Sequence, residues 1–300
     1  MVATLAKKTA QDPERNPVVL AHRYSESLRI EKPVFHMDTG VHYLEQVKRI
    51  RIRFPESLVR KWGRLELIHI TDVQYCHVLC KQSAIDRLKG WVLDAPNRFV
   101  LFGGDMVDAW RLGSPGSPFE NTGEPQTQVY RFCAEFAPIA HRVIGYVGGN
   151  HERRAALAFG DLGTLVSSIL KLAYSAGQQF IDIEFGDWKR KPFGIDLFHG
   201  RGAARTKGAK CGMLYEFMRH SDADCCLVGH LHDAIALYRW IRERDVNNLG
   251  LRFRRQGGAM SSSFLEWVGS YAEVSDLEAT DCLMAKITLN ANGTWSLSHF

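Results

Sequence analysis

Five times along this 300-residue chain a short apolar run ends at a turn carrying Asp, Asn or His. RLELIHIT (64–71) leads to Asp72 and Gln74, and RFVLFGGD (98–105) ends at Asp105. RVIGYVGGNH (142–151) ends at Asn150 and His151. GIDLFHG (194–200) ends at His199, and ADCCLVGH (223–230) ends at His230 with His232 just beyond. Runs of this length, rich in leucine and β-branched residues, read as buried strands. Helical spacing falls between them. In KQSAIDRLKGWVLDAP (81–96), Ile85, Leu88, Trp91 and Val92 share a face and Pro96 is the stop. In an open α/β sheet, ligands gather outside the carboxyl ends of the strands, where loops converge. Five polar turns from separate strands can therefore form one site on a rigid sheet edge.

The rest of the chain reads around that pattern. Residues 1–60 are mixed and basic, with Pro13, Pro17, Pro33 and Pro55, and are expected to be an extension packed on or leading into a single domain over 61–300. Residues 111–126 hold three Pro and three Gly in sixteen and read as a long surface loop. VYRFCAEFAPIA (129–140) and LGTLVSSILKLAYSA (162–176) read as helical. AIALYRW (234–240), LRFRRQ (251–256), LMAKITLN (283–290) and TWSLSHF (294–300) read as strands. Hydrophobic residues at 45% and charged residues at 24% exclude a disordered or fibrous chain. No apolar stretch approaches the roughly 20 residues that span a bilayer, and the first residues lack a secretory apolar core. Seven cysteines with no CxxC pair point to reduced thiols, a cytoplasmic protein and no structural zinc. The net charge of +5 is a mild preference for anions.

Taken singly, the polar turn residues say little: a lone histidine is more often structural, and an Asp after a strand is often a helix cap. Together, two carboxylates, two amides and three imidazoles are the hard and borderline donors that Mn, Fe, Zn or Ni accept. About seven such ligands are too many for one ion and suit two ions sharing a carboxylate. The flanking glycines, Gly103-Gly104, Gly148-Gly149, Gly200 and Gly229, allow close backbone approach.

Five blocks carry a family resemblance: Asp72-Val-Gln74, Gly104-Asp105-Met-Val-Asp108, Gly149-Asn150-His151-Glu152, His199-Gly200 and Gly229-His230-Leu-His232. In order and interval they resemble the motifs of the calcineurin-like metallophosphoesterases, over about residues 64–235. The resemblance implies an α/β fold, a four-layer αββα sandwich of two mixed β-sheets flanked by helices. It implies hydrolysis of phosphoester bonds by a hydroxide activated by two divalent ions. Asp72, Gln74, Asp105 and His232 would hold one ion; Asp105, Asn150, His199 and His230 would hold the other, with Asp105 as the bridge. His151 would be the general acid. Glu152 would either orient His151 or be a solvated helix residue.

One block departs from the family. Its first motif is usually Asp-x-His, and here glutamine stands at 74. An amide oxygen is the harder, weaker donor, which favours Mn²⁺ or Mg²⁺, with Fe²⁺, Zn²⁺ and Ni²⁺ as further candidates. If Gln74 does not ligate, a water replaces it. His77 is the nearest substitute, whereas His69 lies within the strand and points away. For the substrate, two basic stretches stand out: WKRKP (188–192) continuing to Arg201, Arg205, Lys207 and Lys210, and YRWIRERDVNNLGLRFRR (238–255). Arginine interleaved with Tyr238, Trp240 and Phe253 fits DNA or RNA, whereas the plainer reading is solvated strand faces joined at Asn247-Asn248. Arg201 and Arg205 follow an expected ligand and are candidate phosphate contacts. The leading expectation is a phosphodiesterase or nuclease. The alternative is a phosphatase or phosphodiesterase for a small molecule, nucleotide or phosphoprotein, and a non-catalytic scaffold comes third. Arginines lining the cleft would favour nucleic acid; arginines elsewhere would favour the small substrate.

Overall fold

The computed structural model describes residues 29–31, 48–110, 118–186, 192–245, 250–276 and 278–300. Its strands are β1 (Arg29–Glu31), β2 (Arg49–Arg53), β3 (Arg64–Ile70), β4 (Arg98–Phe102), β5 (Val143–Val147), β6 (Tyr174–Ser175), β7 (Gln179–Glu184), β8 (Phe193–Phe198), β9 (Cys225–Val228), β10 (Ile235–Asp245), β11 (Gly250–Met260), β12 (Ala285–Asn290) and β13 (Trp295–His299). They form two sheets. One has the order β1-β2-β7-β8-β9-β11-β10 and the other β13-β12-β3-β4-β5-β6. β3, β4, β5 and β6 run parallel, while β12 and β13 extend that sheet antiparallel. In the larger sheet β8, β9 and β11 are parallel and the hairpin partner β10 is antiparallel. Both sheets are therefore mixed.

Strand alternation divides the apolar residues into layers. Leu65 and Leu67 of β3, Phe99 and Leu101 of β4, Ile195 and Leu197 of β8, and Leu227 of β9 fill the space between the sheets. Ile68, Ile70, Val100 and Phe102 face the other way, onto Ile85, Leu88 and Val92 of the helix Gln82–Asp94 and onto Phe132 and Phe136 of the helix Pro125–Phe136. Cys226, Val228 and Met260 face outward from the larger sheet, onto Leu214 and Met218 of the helix Lys207–Arg219. Helix, sheet, sheet, helix is the four-layer α/β sandwich that the family resemblance implies.

Several expectations change in detail. The helix expected over 162–176 ends at Leu170, because Lys171 turns left-handed at φ 57° and closes it. The remainder becomes β6 beside β5. The helix expected over 129–140 begins at Pro125 and tightens into a 3-10 turn over Ala137–Arg142. Of the loop expected over 111–126, residues 111–117 lie outside the described residues, Pro118–Glu120 is a short 3-10 turn, and the last two residues are already helical. Within the first 60 residues, β2 joins β7 in parallel, and Ile50, Ile52 and Phe54 are buried between the sheets. The division at residue 60 runs through the helix Glu56–Trp62. All seven cysteines are free thiols. No helix among the described residues is long and apolar enough to cross a membrane.

Candidate metal centre

The turns beyond β3, β4, β5, β8 and β9 meet at one edge of the two sheets. Their backbone is unusual. Asp72 (φ 51°), Gln74 (φ 45°), Asp105 (φ 54°), His230 (φ 69°) and His232 (φ 50°) all lie in the left-handed region. That region is sparsely occupied by residues with side chains, and such conformations concentrate at functional sites. Tight packing holds them there. The amide of Asp72 donates to Gly104 O at 3.0 Å, and that of Gln74 donates to Asp105 O at 2.9 Å. A Cβ at Gly149 would lie 2.0 Å from Asp105 Oδ1, so this position admits only glycine.

Asp72, Asp105 and His199 are at most 1% exposed. Nδ1 of His199 is 2.8 Å from Gly103 O. A carbonyl can only accept, so Nδ1 carries the proton and the Nε2 lone pair faces the centre. There it is 2.9 Å from the Asn150 amide and 3.1 Å from Asp105 Oδ2. His230 uses the opposite tautomer: Nε2 is 2.8 Å from Gly202 O, which turns the Nδ1 lone pair inward. Asp105, His199 and His230 present ligand atoms within 4.8 Å of one another. The inner end of the Asn150 amide lies 2.7 Å from His230 Nδ1 and 3.1 Å from Asp105 Oδ2. With its nitrogen there, it would donate to these acceptors. With its oxygen there, four lone-pair donors face one point, and a divalent cation is the partner that satisfies them all. The residues fit such an ion.

A second group adjoins the first. His232 Nε2 is 3.1 Å from Asp72 Oδ1. The other oxygen of Asp72 accepts from Thr71 Oγ1 at 2.7 Å and from the amide of His230 at 2.8 Å. Gln74 is buried, and its Nε2 is 3.4 Å from His151 Nε2. His77 lines the cleft but is engaged away from the ligand group: Nδ1 accepts the Leu79 amide at 3.1 Å, and Nε2 is 3.7 Å from Glu120. His69 faces the space between the sheets, with Nδ1 2.8 Å from Ser261 Oγ. Burial opposes ionisation of Asp72, yet the neighbouring His232 holds its carboxyl down at about 2. Burial likewise opposes ionisation of Asp105, and His199 and His151 carry it well below the carboxylate range.

His151 sits beside the centre. Its Nδ1 bonds the carbonyl oxygen of Asp108 and is 3.3 Å from that residue's carboxylate, so Nδ1 is a donor and Nε2 faces the cleft. Burial lowers the proton affinity of the ring, but Asp105 and Asp108 outweigh it and raise the pKa to about 9. Asp108 is itself held by Asn121, whose Oδ1 accepts from buried Gln128 at 2.7 Å. Glu152 does neither thing expected of it. It is fully buried, and its carboxylate accepts the backbone amides of Asp105 (3.0 Å), Met106 (2.7 Å) and Gly149 (2.9 Å). It ties the β4 and β5 turns together, and it is Asp108 that orients His151. Burial and Asp105 push the Glu152 carboxyl up to about 7.

A cleft of about 230 Å³ opens over these residues, lined by Gln74, Asp105, Asn150, His151, His230 and His232. Arg154 is the arginine on its wall. Four positions after Asn150 on one helix, it reaches the same rim, with Nε 3.3 Å from Asn150 O. Sequence reading missed Arg154, Thr71 and the orienting role of Asp108. The helical interval from Asn150 to Arg154 was the available signal for the first. Neither expected phosphate contact lines the cleft. Arg201 lines a neighbouring cavity with Phe198, Met213 and Phe217, and Arg205 is exposed. Lys207 and Lys210 are held by buried Asp233 at 2.6 and 3.1 Å. Residues 187–191 and 246–249, which include most of WKRKP and the turn at Asn247-Asn248, lie outside the described residues. The arginine-rich hairpin β10–β11 meets the site only at its Ile235–Met260 end and runs away from it.

No protein-family profile and no curated protein matches the chain. Solved structures do. A phosphoesterase from E. coli, Yfce, is 14% identical, with a TM-score of 0.41 over 78% of this chain and 98% of its own. A Vps29 single mutant from Entamoeba histolytica is 16% identical, with a TM-score of 0.34 over 79% and 99%. The NAD nucleotidase NadN of Haemophilus influenzae is 11% identical, with a TM-score of 0.34 over 78% of this chain and 49% of its own. These similarities are weak. The resemblance to the calcineurin-like metallophosphoesterases rests on the five sequence blocks.

Proposed function

We propose that this chain is a metal-dependent phosphoesterase whose leading substrate class is the phosphodiester of nucleic acid. The observation that carries the hydrolytic reading is the convergence of the Asp105, Asn150, His199 and His230 lone pairs on one point, next to Asp72 and His232. Asp72, Gln74, Asp105 and His232 would hold one divalent ion, and Asp105, Asn150, His199 and His230 the other. Bound there, the ions would neutralise phosphoryl charge and lower the pKa of a water. Manganese suits this mixture of oxygen and imidazole donors, Gln74 included.

The protein's own groups then divide the work. His151 holds a proton at Nε2, facing the cleft, and gives it to the leaving oxygen. Asp108 fixes the ring in that tautomer. Arg154 offers a guanidinium to a non-bridging oxygen from the cleft wall. A single arginine matches the single charge of a phosphodiester. A specific observation favours the second reading, a small-molecule or phosphoprotein substrate: the arginines of β10–β11 do not line the cleft. A panel in Mn²⁺ separates the two: an aryl phosphodiester, an aryl phosphomonoester, a cyclic nucleotide, and single- and double-stranded DNA. Cleavage of DNA and of the aryl diester ahead of the monoester is expected. Preference for the monoester would overturn the diesterase assignment, and no hydrolysis of any ester with Mn²⁺, Mg²⁺, Fe²⁺, Zn²⁺ or Ni²⁺ would overturn the enzymatic one.

A further inference from the structure

The two faces of the β10–β11 hairpin differ in charge. The register pairs Trp240 with Arg255, Arg242 with Phe253 and Arg244 with Leu251, and side chains of directly paired residues share a face. The opposite face holds Arg239, Glu243, Arg252, Arg254 and Gln256. There charge is compensated: Glu243 pairs with both Arg252 and Arg254, and Arg254 also reaches Asp224 at 3.1 Å. On the first face the arginines pair with no carboxylate among the described residues. Arg242 and Arg244 are exposed and bond no side chain among the described residues. Beside them Trp240 is 68% exposed and Phe253 60%. At the base of this face the Arg255 guanidinium lies 4.8 Å from the Tyr238 ring and 4.7 Å from Trp295.

We infer that this face is a docking surface for single-stranded nucleic acid, separate from the metal cleft. Uncovered rings stack bases, and uncompensated arginines between them meet the phosphates of the same strand. From Tyr238 to Arg244 the face is about 20 Å long at about 3.3 Å per residue. At its Tyr238 end the face abuts β13, where Tyr238 Oη bonds the Leu297 backbone and Arg255 bonds Trp295 O, so the surface is distinct from the cleft. A second copy of the chain fits less well. β10 is an edge strand, but a two-fold pairing centred on Glu243 would set Arg242 opposite the second copy's Arg244 and Glu243 opposite its own copy. The inference adds a partner and a place to the proposed function and is tested independently of turnover.

The test is fluorescence anisotropy of an end-labelled, phosphorothioate-linked oligothymidylate, which resists hydrolysis. It compares the native protein with Trp240→Ala/Phe253→Ala and Arg242→Ala/Arg244→Ala, with aryl phosphodiester hydrolysis measured in parallel. All four residues are exposed, so both variants fold, and circular dichroism checks this. Loss of the two rings is expected to weaken binding by about 10-fold or more. Loss of the two arginines is expected to flatten the slope of log K against log salt by about 1.4, at about 0.7 for each single-strand phosphate contact. Aryl hydrolysis stays at the native rate in both. Equal binding by all three proteins overturns the inference, as does absence of binding by the native protein. A duplex bound as tightly as the single strand overturns the stacking part. A native dimer that either variant converts to monomer, with oligonucleotide binding unchanged, assigns the face to a second copy. If the aryl ester is not hydrolysed while binding follows the hairpin, the hydrolytic reading fails and the docking inference stands.

Discussion

At the scale of the residue, the candidate centre depends on where protons sit. Asp105 is the carboxylate proposed to bridge the two ions, so Asp105→Asn should abolish hydrolysis. Its Mn²⁺ affinity should fall by more than the roughly 10–100-fold typical of losing an outer partner. Calorimetric titration checks this, and native affinity in the variant would remove Asp105 from the centre. In the proposed function His151 moves a proton and does not ligate. His151→Ala should keep Mn²⁺ and lose about 10²–10⁴-fold in rate, most on poor leaving groups. Asp108→Asn should keep metal too and shift the pH–rate profile, since it alters the ring's partner and not the ring. A histidine away from the centre gives a pH prediction. His69 is fully buried, its Nε2 has no hydrogen-bond partner among the described residues, and burial holds its pKa at about 3. The folded protein therefore binds fewer protons than the unfolded chain between pH 3 and about 6.5. Stability should be full above that window and fall as the pH drops through it, by at most about 1.4 kcal/mol per unit. Urea midpoints of His69→Gln should show a shallower acid limb, and an unchanged limb would refute the assignment.

At the scale of the element, the decisive feature is how two turns are tied. Glu152 begins a helix and satisfies amides of both the β4 and β5 turns. In Glu152→Gln one of those oxygens becomes an NH₂ facing a backbone donor. The expected cost is about 1–3 kcal/mol, with Mn²⁺ affinity lowered because Asp105 and Asn150 lose their common anchor. Thermal unfolding and metal titration of the variant measure the two effects. Sequence pattern showed that a strand, a glycine pair and a helix meet here. It did not show the direction of the Glu152 side chain, because a helix start accommodates an exposed and a buried carboxylate with the same letters. The same holds for the hairpin. Alternation marked both strands, but charge compensation on one face only depends on register, and register depends on both strands at once.

At the scale of the whole molecule, the centre lies between two sheets. Asp72, Asp105 and Asn150 come from the six-stranded sheet, and His199, His230 and His232 come from the seven-stranded one. A metal ion there would bridge the sheets, so binding should stabilise the fold globally. At about 100 times the dissociation constant the gain is about 2.7 kcal/mol. The melting temperature should rise with Mn²⁺ and return with chelator, whereas Asp105→Asn should show no such rise. A metal-independent melting temperature in the native protein would show that no ion is held there.

The sequence alone determined the five strands that lead to the polar turns, the order of those turns and the identity of the expected ligands. Each of these is written locally, in apolar runs, glycine pairs and the residue that follows. It also supplied the four-layer architecture, as what the family resemblance of the five blocks implies. Tertiary structure alone decided which arginine faces the cleft, Arg154 and not Arg201 or Arg205, and which carboxylate orients His151, Asp108 and not Glu152. It likewise decided that the arginine hairpin leads away from the centre. Those are questions of direction between elements distant in the chain. Direction is set by packing the two sheets against each other, and no short stretch of sequence encodes it.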